Sequence, residues 1–593
     1  MKSSLIPRAV SVSSLNPFGA INDRLEKLED AIKSLAPHGL EKERENSPRG
    51  FGVVSQTEWM TSNCKPIHGQ SSFDGQVEMA SHISQLPTPG TVGDSAVLDE
   101  VRTLRAMIQD RTSAIASHPT SSCISSNLQP DEIPVAFALR VLHLLKETPR
   151  LLFLMHPIQN YQYVEDLLQR IYFPLKPVSN GHLTVFFGVM YYATREMLEV
   201  GNSSNIARKQ LEQYSATSQK MFQAGIKTHE LSAVPSFENA LALALALLDA
   251  QLTGDLTLQW SLTSAAATHC ITLGYHREST LNQLAPDAAE PCRLLFWHIY
   301  ISNMSLILPL GKAGVIHAYD IDVEPPALST DPRVAVWDAC RNILIRFLTL
   351  HGEIYEQLYS PASLRLDLPS RQQNVSVLVR KLESWHFDWK SIDYSEAHYA
   401  SVFRIVFLPI NVIYWSVLTL TYRASTTSST IEELPESCFS AARKGLETHL
   451  SLYPEFQAGG PGAIKLYAIW ILIHSSFAPY IMTFVHCIVY GSKDDLDLLG
   501  RVLETLDEIA TVSGPCQRQI SVCRALHRTA KASIESNGIA SVQDHARSGK
   551  VMNLPLQNPS HEQLDWDYFQ SHIDEWIADG VNVNSFNLGH RLD

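Results

Sequence analysis

The chain has 593 residues, 45% of them hydrophobic and 18% charged, against roughly 25% charged in an average soluble domain, which argues against wholesale disorder and places much helix in an interior. With 47 Lys and Arg against 61 Asp and Glu the formal charge is −14; a field of that sign repels phosphate, so nucleic-acid contact requires a separate basic module. The nine cysteines, at 64, 123, 270, 292, 340, 438, 487, 516 and 523, are scattered without a CxxC, a pattern that argues against a disulfide framework and suits a reducing compartment. Cys516 and Cys523 are read as buried thiols, because no His or third Cys completes a ligand set beside them.

The N-terminal MKSSLIPRAVSVSSL lacks the continuous apolar stretch of a secretory signal, although Lys2, Arg8, the serines and the absence of acid before Asp23 are shared with organellar presequences. Residues 1–130 are rich in Ser, Thr, Pro and Gly and are expected to be mostly disordered linker, since such stretches bury too little apolar area to offset ordering entropy. Two periodic islands interrupt them. Ile21, Leu25, Leu28, Ile32 and Leu35 follow a heptad, and Val97, Val101, Leu104, Ile108 and Ile115 follow another with Arg111 at one core position. The first, 21–35, either pairs with a homo- or heterodimer partner as a short coiled coil or packs as an amphipathic helix on its own chain.

From about residue 131 to 535 long Leu/Ala/Ile/Tyr-rich segments alternate with Pro and Gly punctuation, which predicts one large all-α body. The run NALALALALLDAQL, 239–252, is expected as a buried helix because Ala and Leu are strong helix formers and the run is long for a strand. Residues 466–490 are uncharged and long enough to cross a membrane. His474, Ser475, Ser476 and Pro479 interrupt them, so two core helices broken near Pro479 are expected and no membrane partner is. The segment 493–512 is amphipathic, with Leu496, Leu498, Leu499, Val502, Leu503 and Leu506 to one side and the acids to the other.

The catalytic patterns fail. Gly311-Lys312 is followed by Ala313 and preceded five residues earlier by Leu306, so the metal-binding hydroxyl and first glycine of a phosphate loop are missing; HExxH, GxSxG and GxGxxG do not occur. Isolated histidines such as His298 and His474 read as interior hydrogen-bonded residues. No catalytic, cofactor or metal residue is assigned, and an enzyme is not expected.

The most distinctive block runs from 256 to 326. An Ala-rich helix leads into Leu273-Gly274-Tyr275-His276-Arg277; a second helix carries Glu290, Arg293, Phe296, Trp297 and Tyr300; then come the Leu310-Gly311-Lys312 turn and Asp320-Ile321-Asp322 before Pro325. This block resembles the fungal-specific transcription factor domain, the middle homology region of regulators that carry a zinc binuclear cluster, and the resemblance extends over roughly 131–535. It implies an all-α regulatory domain in a nuclear protein acting on RNA polymerase II transcription, for example of a metabolic or biosynthetic gene cluster. The residues themselves read as structural: Arg293, Phe296, Trp297 and Tyr300 stand at i, i+3, i+4 and i+7, one aromatic stripe with Arg at its edge, available to Glu290 or a nearby carboxylate. Gly274 and Gly311 sit where helices end. The chain departs from the family in having Gly311-Lys312-Ala313 for the usual Gly-Arg-Pro and Asn303 where an acid is common.

The resemblance also implies a six-cysteine cluster that holds two zinc ions and reads DNA, followed by a linker and a dimerising helix. Here the first cysteine, Cys64, lies downstream of the 21–35 heptad. Zinc and direct DNA contact are therefore expected only with a cysteine cluster upstream of this sequence; without one, the chain is expected to act as a co-regulator that heterodimerises with a full-length regulator. In the last region, 536–593, the stretch 551–590 contains no Lys or Arg, and Glu562, Asp565, Asp567, Asp574, Glu575 and Asp579 are interleaved with apolar side chains. Asp565, Trp566, Asp567, Tyr568, Phe569 and Trp576 are expected either to form an acidic activation segment that docks on the transcription machinery or to pack as a final helix on the chain's own core.

Overall fold

Strong helix formers fill residues 132–534, and helix is what the computed structural model shows there. The described residues are those of this span apart from 148–149, 159, 201–205, 229–230, 232, 426–433, 470–477, 518–519, 522, 529 and 532–533, and they contain no strand, so the fold is all-α. The heptad at 21–35, the island at 97–115 and the acidic segment 551–593 lie outside the described residues, as does His474.

The first half comprises α1 (Val135–Glu147), the short α2 (Leu151–Met155), α3 (Tyr161–Tyr172), α4 (Asn180–Val200), α5 (Arg208–Ile226), α6 (Phe237–Thr253), α7 (Leu256–Thr272), the one-turn α8 (Glu278–Leu281), α9 (Pro286–Ser305) and α10 (Ile307–Leu310). The Ala/Leu run is α6, and its alternation matters little because the helix is buried nearly all round, from Phe237 to Ala250. Ser236 caps it by accepting from the Asn239 N–H, and Asp255 does the same for the Leu258 N–H at the start of α7. α7 ends where Gly274 takes φ +75°, with Tyr275 N–H donating to Cys270 C=O and Gly274 N–H to Ile271 C=O. Those two bonds define a Schellman motif, and the left-handed residue it needs is cheapest as glycine.

The second half begins with α11 (Pro332–Ile354), which runs straight into a π-helical turn, Tyr355–Tyr359. It continues through α12 (Leu368–Lys390), α13 (Ala400–Phe407), α14 (Ile410–Arg423), α15 (Glu436–Ala458), α16 (Gly460–Ala468), α17 (Ala478–Tyr490) and α18 (Lys493–Val512). Each half has its own apolar core. α11 is the wall between them, giving Ile345 and Leu348 to the first core and Trp337, Phe347, Leu350 and Ile354 to the second. The described cysteines, Cys516 and Cys523 among them, are buried thiols, and desolvation raises the Cys523 thiol above its ordinary range.

Two expectations are refined. Of residues 466–490, those up to Ala468 close α16 and those from Ala478 belong to α17, and the expected break lies beside residues outside the described ones. The described segment that is long and apolar enough for a membrane is instead Ala400–Arg423; most of it is buried, and a turn at Leu408-Pro409 divides it into α13 and α14. The second refinement concerns α18, whose acids do not all face away from the core: Asp495 lies on the buried side, 1% exposed. Arg443 of α15 grips its carboxylate at 2.7 and 3.1 Å, and His486 Nδ1 of α17 donates to it at 2.5 Å. Burial alone opposes ionisation of Asp495, yet these hydrogen bonds outweigh it and hold the carboxyl below the usual carboxylate range.

Buried neutral histidines set the pH response. Desolvation lowers His156 to about 3, and it lowers His182 and His449 to about 4; the His449 ring lies 2.7 Å from both Tyr467 Oη and Thr505 Oγ1. An unfolded histidine titrates near 6.5, so between that value and about 4 the unfolded chain holds more protons than the folded one, and stability falls as pH falls through this window. The midpoint of urea unfolding should therefore drop steadily from pH 7.5 to 5 and fall again below pH 4, where Asp495 loses its charge. A midpoint unchanged between pH 7.5 and 5 would contradict this assignment.

Candidate functional site

The block 256–326 folds into one junction between α7, α9 and the extended chain that follows α10. On α9, Phe296, Trp297 and Tyr300 are buried, with Trp297 edge-on to both Phe296 and Tyr300 at ring separations of 5.3 and 5.1 Å. Each such side chain contributes about 1.5–3 kcal/mol by leaving water. Arg293 stands at the end of this stripe, its side chain 12% exposed. Its guanidinium forms a fork on Glu278, Nη1 to Oε2 at 2.9 Å and Nη2 to Oε1 at 3.0 Å. Its Nε faces Glu290 at 3.3 Å, and Nη1 also donates to the Glu324 carbonyl at 2.9 Å.

That carbonyl is the point on which the junction closes, because Trp297 Nε1 donates to it as well, at 2.9 Å. The chain around it is fixed from the other side: Glu324 N–H reaches Glu278 Oε2 at 3.3 Å and Ala327 N–H reaches Glu290 Oε1 at 3.2 Å. Closer to the α7 turn, Asp322 accepts from the Glu278 N–H at 2.7 Å, while its own N–H donates to His276 C=O at 3.3 Å. Arg277 bonds to Asp320 and lies 3.9 Å from Asp322, and His276 Nε2 is 3.7 Å from Asp320. The Arg293 hydrogen bonds hold the Glu278 carboxyl below its usual range.

The structure thus brings together Gly274, His276, Arg277, Arg293, Trp297, Asp320 and Asp322, with Leu273, Phe296 and Tyr300 in the core behind them. Gly311 and the exposed Lys312 stand apart. Gly311 ends α10 at φ +59° in a second Schellman motif, Lys312 N–H to Ile307 C=O and Gly311 N–H to Leu308 C=O. Pro325 is exposed. Asn303 is wholly buried and serves the loop after this turn, accepting from the Val315 N–H at 2.9 Å. The sequence offered Arg293 to Glu290 or a nearby carboxylate without naming Glu278, which accepts both arms of the fork. Its signal was an acid at the first position of a short helix, but nothing local placed that helix against α9. Among the described residues no group of three or more His, Cys, Asp or Glu side chains could hold a metal ion.

The chain is similar to a protein of Schizosaccharomyces pombe described as an uncharacterized transcriptional regulatory protein, 23% identical over 351 residues, which are 55% of this chain and 54% of that protein. The chain therefore spans about half the length of that relative. No family model and no solved structure matches the chain.

The two arginines of the junction should behave differently on removal. Arg293→Met strips donors from Glu278, Glu290 and the Glu324 carbonyl in a part-buried setting and is expected to cost about 1.5–3 kcal/mol. Arg277, 33% exposed against an Asp320 that is 46% exposed, should cost under about 1 kcal/mol as Arg277→Met. Urea unfolding of both variants checks this, and equal losses would show that Arg293 is not the fastening of the junction.

Proposed function

We propose that the chain is a transcription regulator of the fungal-specific type, nuclear and non-enzymatic, whose helical body governs the partner contacts of its two ends. The observation that carries the reading is the similarity to a transcriptional regulatory protein over 351 residues, a stretch long enough to include most of the helical body. The junction supports it in a different way. Its charged side chains engage one another and backbone groups, so the Arg, Asp and Glu residues that stand out in the sequence hold two helices and a connection together. That is the economy of an interaction scaffold rather than of a site that turns over a substrate.

In this reading Ile21, Leu25, Leu28, Ile32 and Leu35 form a dimer seam, and the Lys/Arg-free stretch 551–590 presents Trp566, Tyr568, Phe569 and Trp576 to the transcription machinery. Carboxylates keep such a segment solvated while its aromatic side chains remain available to a partner's groove. DNA is contacted through a cysteine cluster carried upstream, or through a full-length regulator paired at the seam.

The test is to tether the full chain to an unrelated DNA-binding domain upstream of a reporter. Transcript level should depart from that of the DNA-binding domain alone, and the double variant Trp566→Ala with Phe569→Ala should remove most of the change. A reporter indifferent to the tethered chain would contradict the regulator reading. A response that survives the double variant would remove the activation segment while leaving the regulator.

A further inference from the structure

The two cores are bridged by a side-chain arrangement that the junction at Arg293 does not use. α2 is only five residues long, yet Leu152 is buried in the first core and Leu154 in the second. A helix this short has no stability of its own, and Arg150, its N-terminal flanking residue, supplies no side-chain cap. Its end is satisfied from a distance: Glu196 of α4, itself 7% exposed, accepts from Leu151 N–H at 3.2 Å and Leu152 N–H at 3.0 Å. At the other end Arg341 of α11 donates to the Leu154 carbonyl at 3.1 Å while bonding Asp338 at 2.7 Å.

A third element reaches the same carboxylate. Tyr399, immediately before α13 in the second half, donates from Oη to Glu196 Oε1 at 3.5 Å, across 203 positions of sequence. Tyr399 is also the one non-glycine among the described residues with positive φ, at φ 53° and ψ 49°. A bulky residue held in the left-handed region is strained and persists where its surroundings enforce it. Desolvation raises the Glu196 carboxyl, against the pull of the two backbone donors. A strained residue, a buried carboxylate and a helix too short to stand alone therefore meet where the two cores touch.

We propose that Glu196, Tyr399 and α2 form a latch between the two helical halves, closed in this structure, whose opening frees the halves to move as separate bodies. The Tyr399 contact is the releasable part: it is long, its donor is half-buried, and breaking it relieves the backbone of that residue. The Glu196 bonds to α2 are the fixed part, transmitting the position of α4 to Leu154 and so to the second core.

Hydrogen exchange of the full chain tests this with two variants. Tyr399→Phe removes one oxygen and should quicken exchange at 150–156 and 396–407 by about threefold or more, while Glu196→Gln, which leaves one acceptor oxygen for the two backbone donors and the Tyr399 hydroxyl, should quicken it by about tenfold in the same places. The central turns of α6 and α15 should keep their wild-type protection in both. Faster exchange at 150–156 in Glu196→Gln alone would reduce Glu196 to a cap for α2 and overturn the latch. Unchanged exchange in both variants, or a rise spread evenly over α6 and α15, would overturn it equally.

Discussion

The guanidinium of Arg293 is the fastening on which the arrangement of the two halves rests. It joins α9 to α8 through Glu278 and, with Trp297, fixes the Glu324 carbonyl. The chain from Ile321 to Asp331 makes no regular structure, so its course is set by these side chains and not by a backbone ladder. It delivers Pro332 to the start of α11, and α11 is the wall shared by both cores. A lysine at 293 could neutralise Glu278 but could not hold two carboxylate oxygens and a carbonyl in one plane.

The all-α class was legible because Leu, Ala and aromatic residues recur at helical spacing over four hundred positions while β-branched alternation is absent. Both helix-terminal glycines were legible for a local reason: Gly274 and Gly311 follow apolar helical runs, and each terminates its helix by the same pair of backbone bonds. The stripe Phe296, Trp297 and Tyr300 needed only the helical period. Glu278, Asp495 and Glu196 were not legible, and they share a cause. Each is a carboxylate whose environment comes from an element distant in sequence, so its burial is decided by tertiary packing that no local pattern reports. Asp495 shows this most directly, since amphipathic arithmetic assigns every acid of α18 to water, whereas Arg443 and His486 make the buried position tenable. The division of 400–423 into two helices was not anticipated, although Pro409 supplies the signal that a proline gives.

The polar economy of the molecule bears on its function. Several of its arginines are committed to internal tasks: Arg150 to the Leu144 carbonyl, Arg371 to the carbonyls of Leu358, Ser363 and Ala424, Arg443 to Asp495. The net charge of −14 over the whole chain opposes non-specific contact with phosphate, so phosphate recognition requires a separate basic module. A body in which a few buried charged groups hold two cores in register, flanked by a heptad and by an acidic aromatic stretch, suits a protein that works by presenting contacts.

Rapid depletion of the chain in living cells, followed within minutes by measurement of nascent transcripts, tests that account most directly. A regulator predicts an immediate change in the synthesis of a restricted set of RNAs, before any change in metabolite levels. Nascent transcription that stays constant while a metabolic change comes first would contradict it.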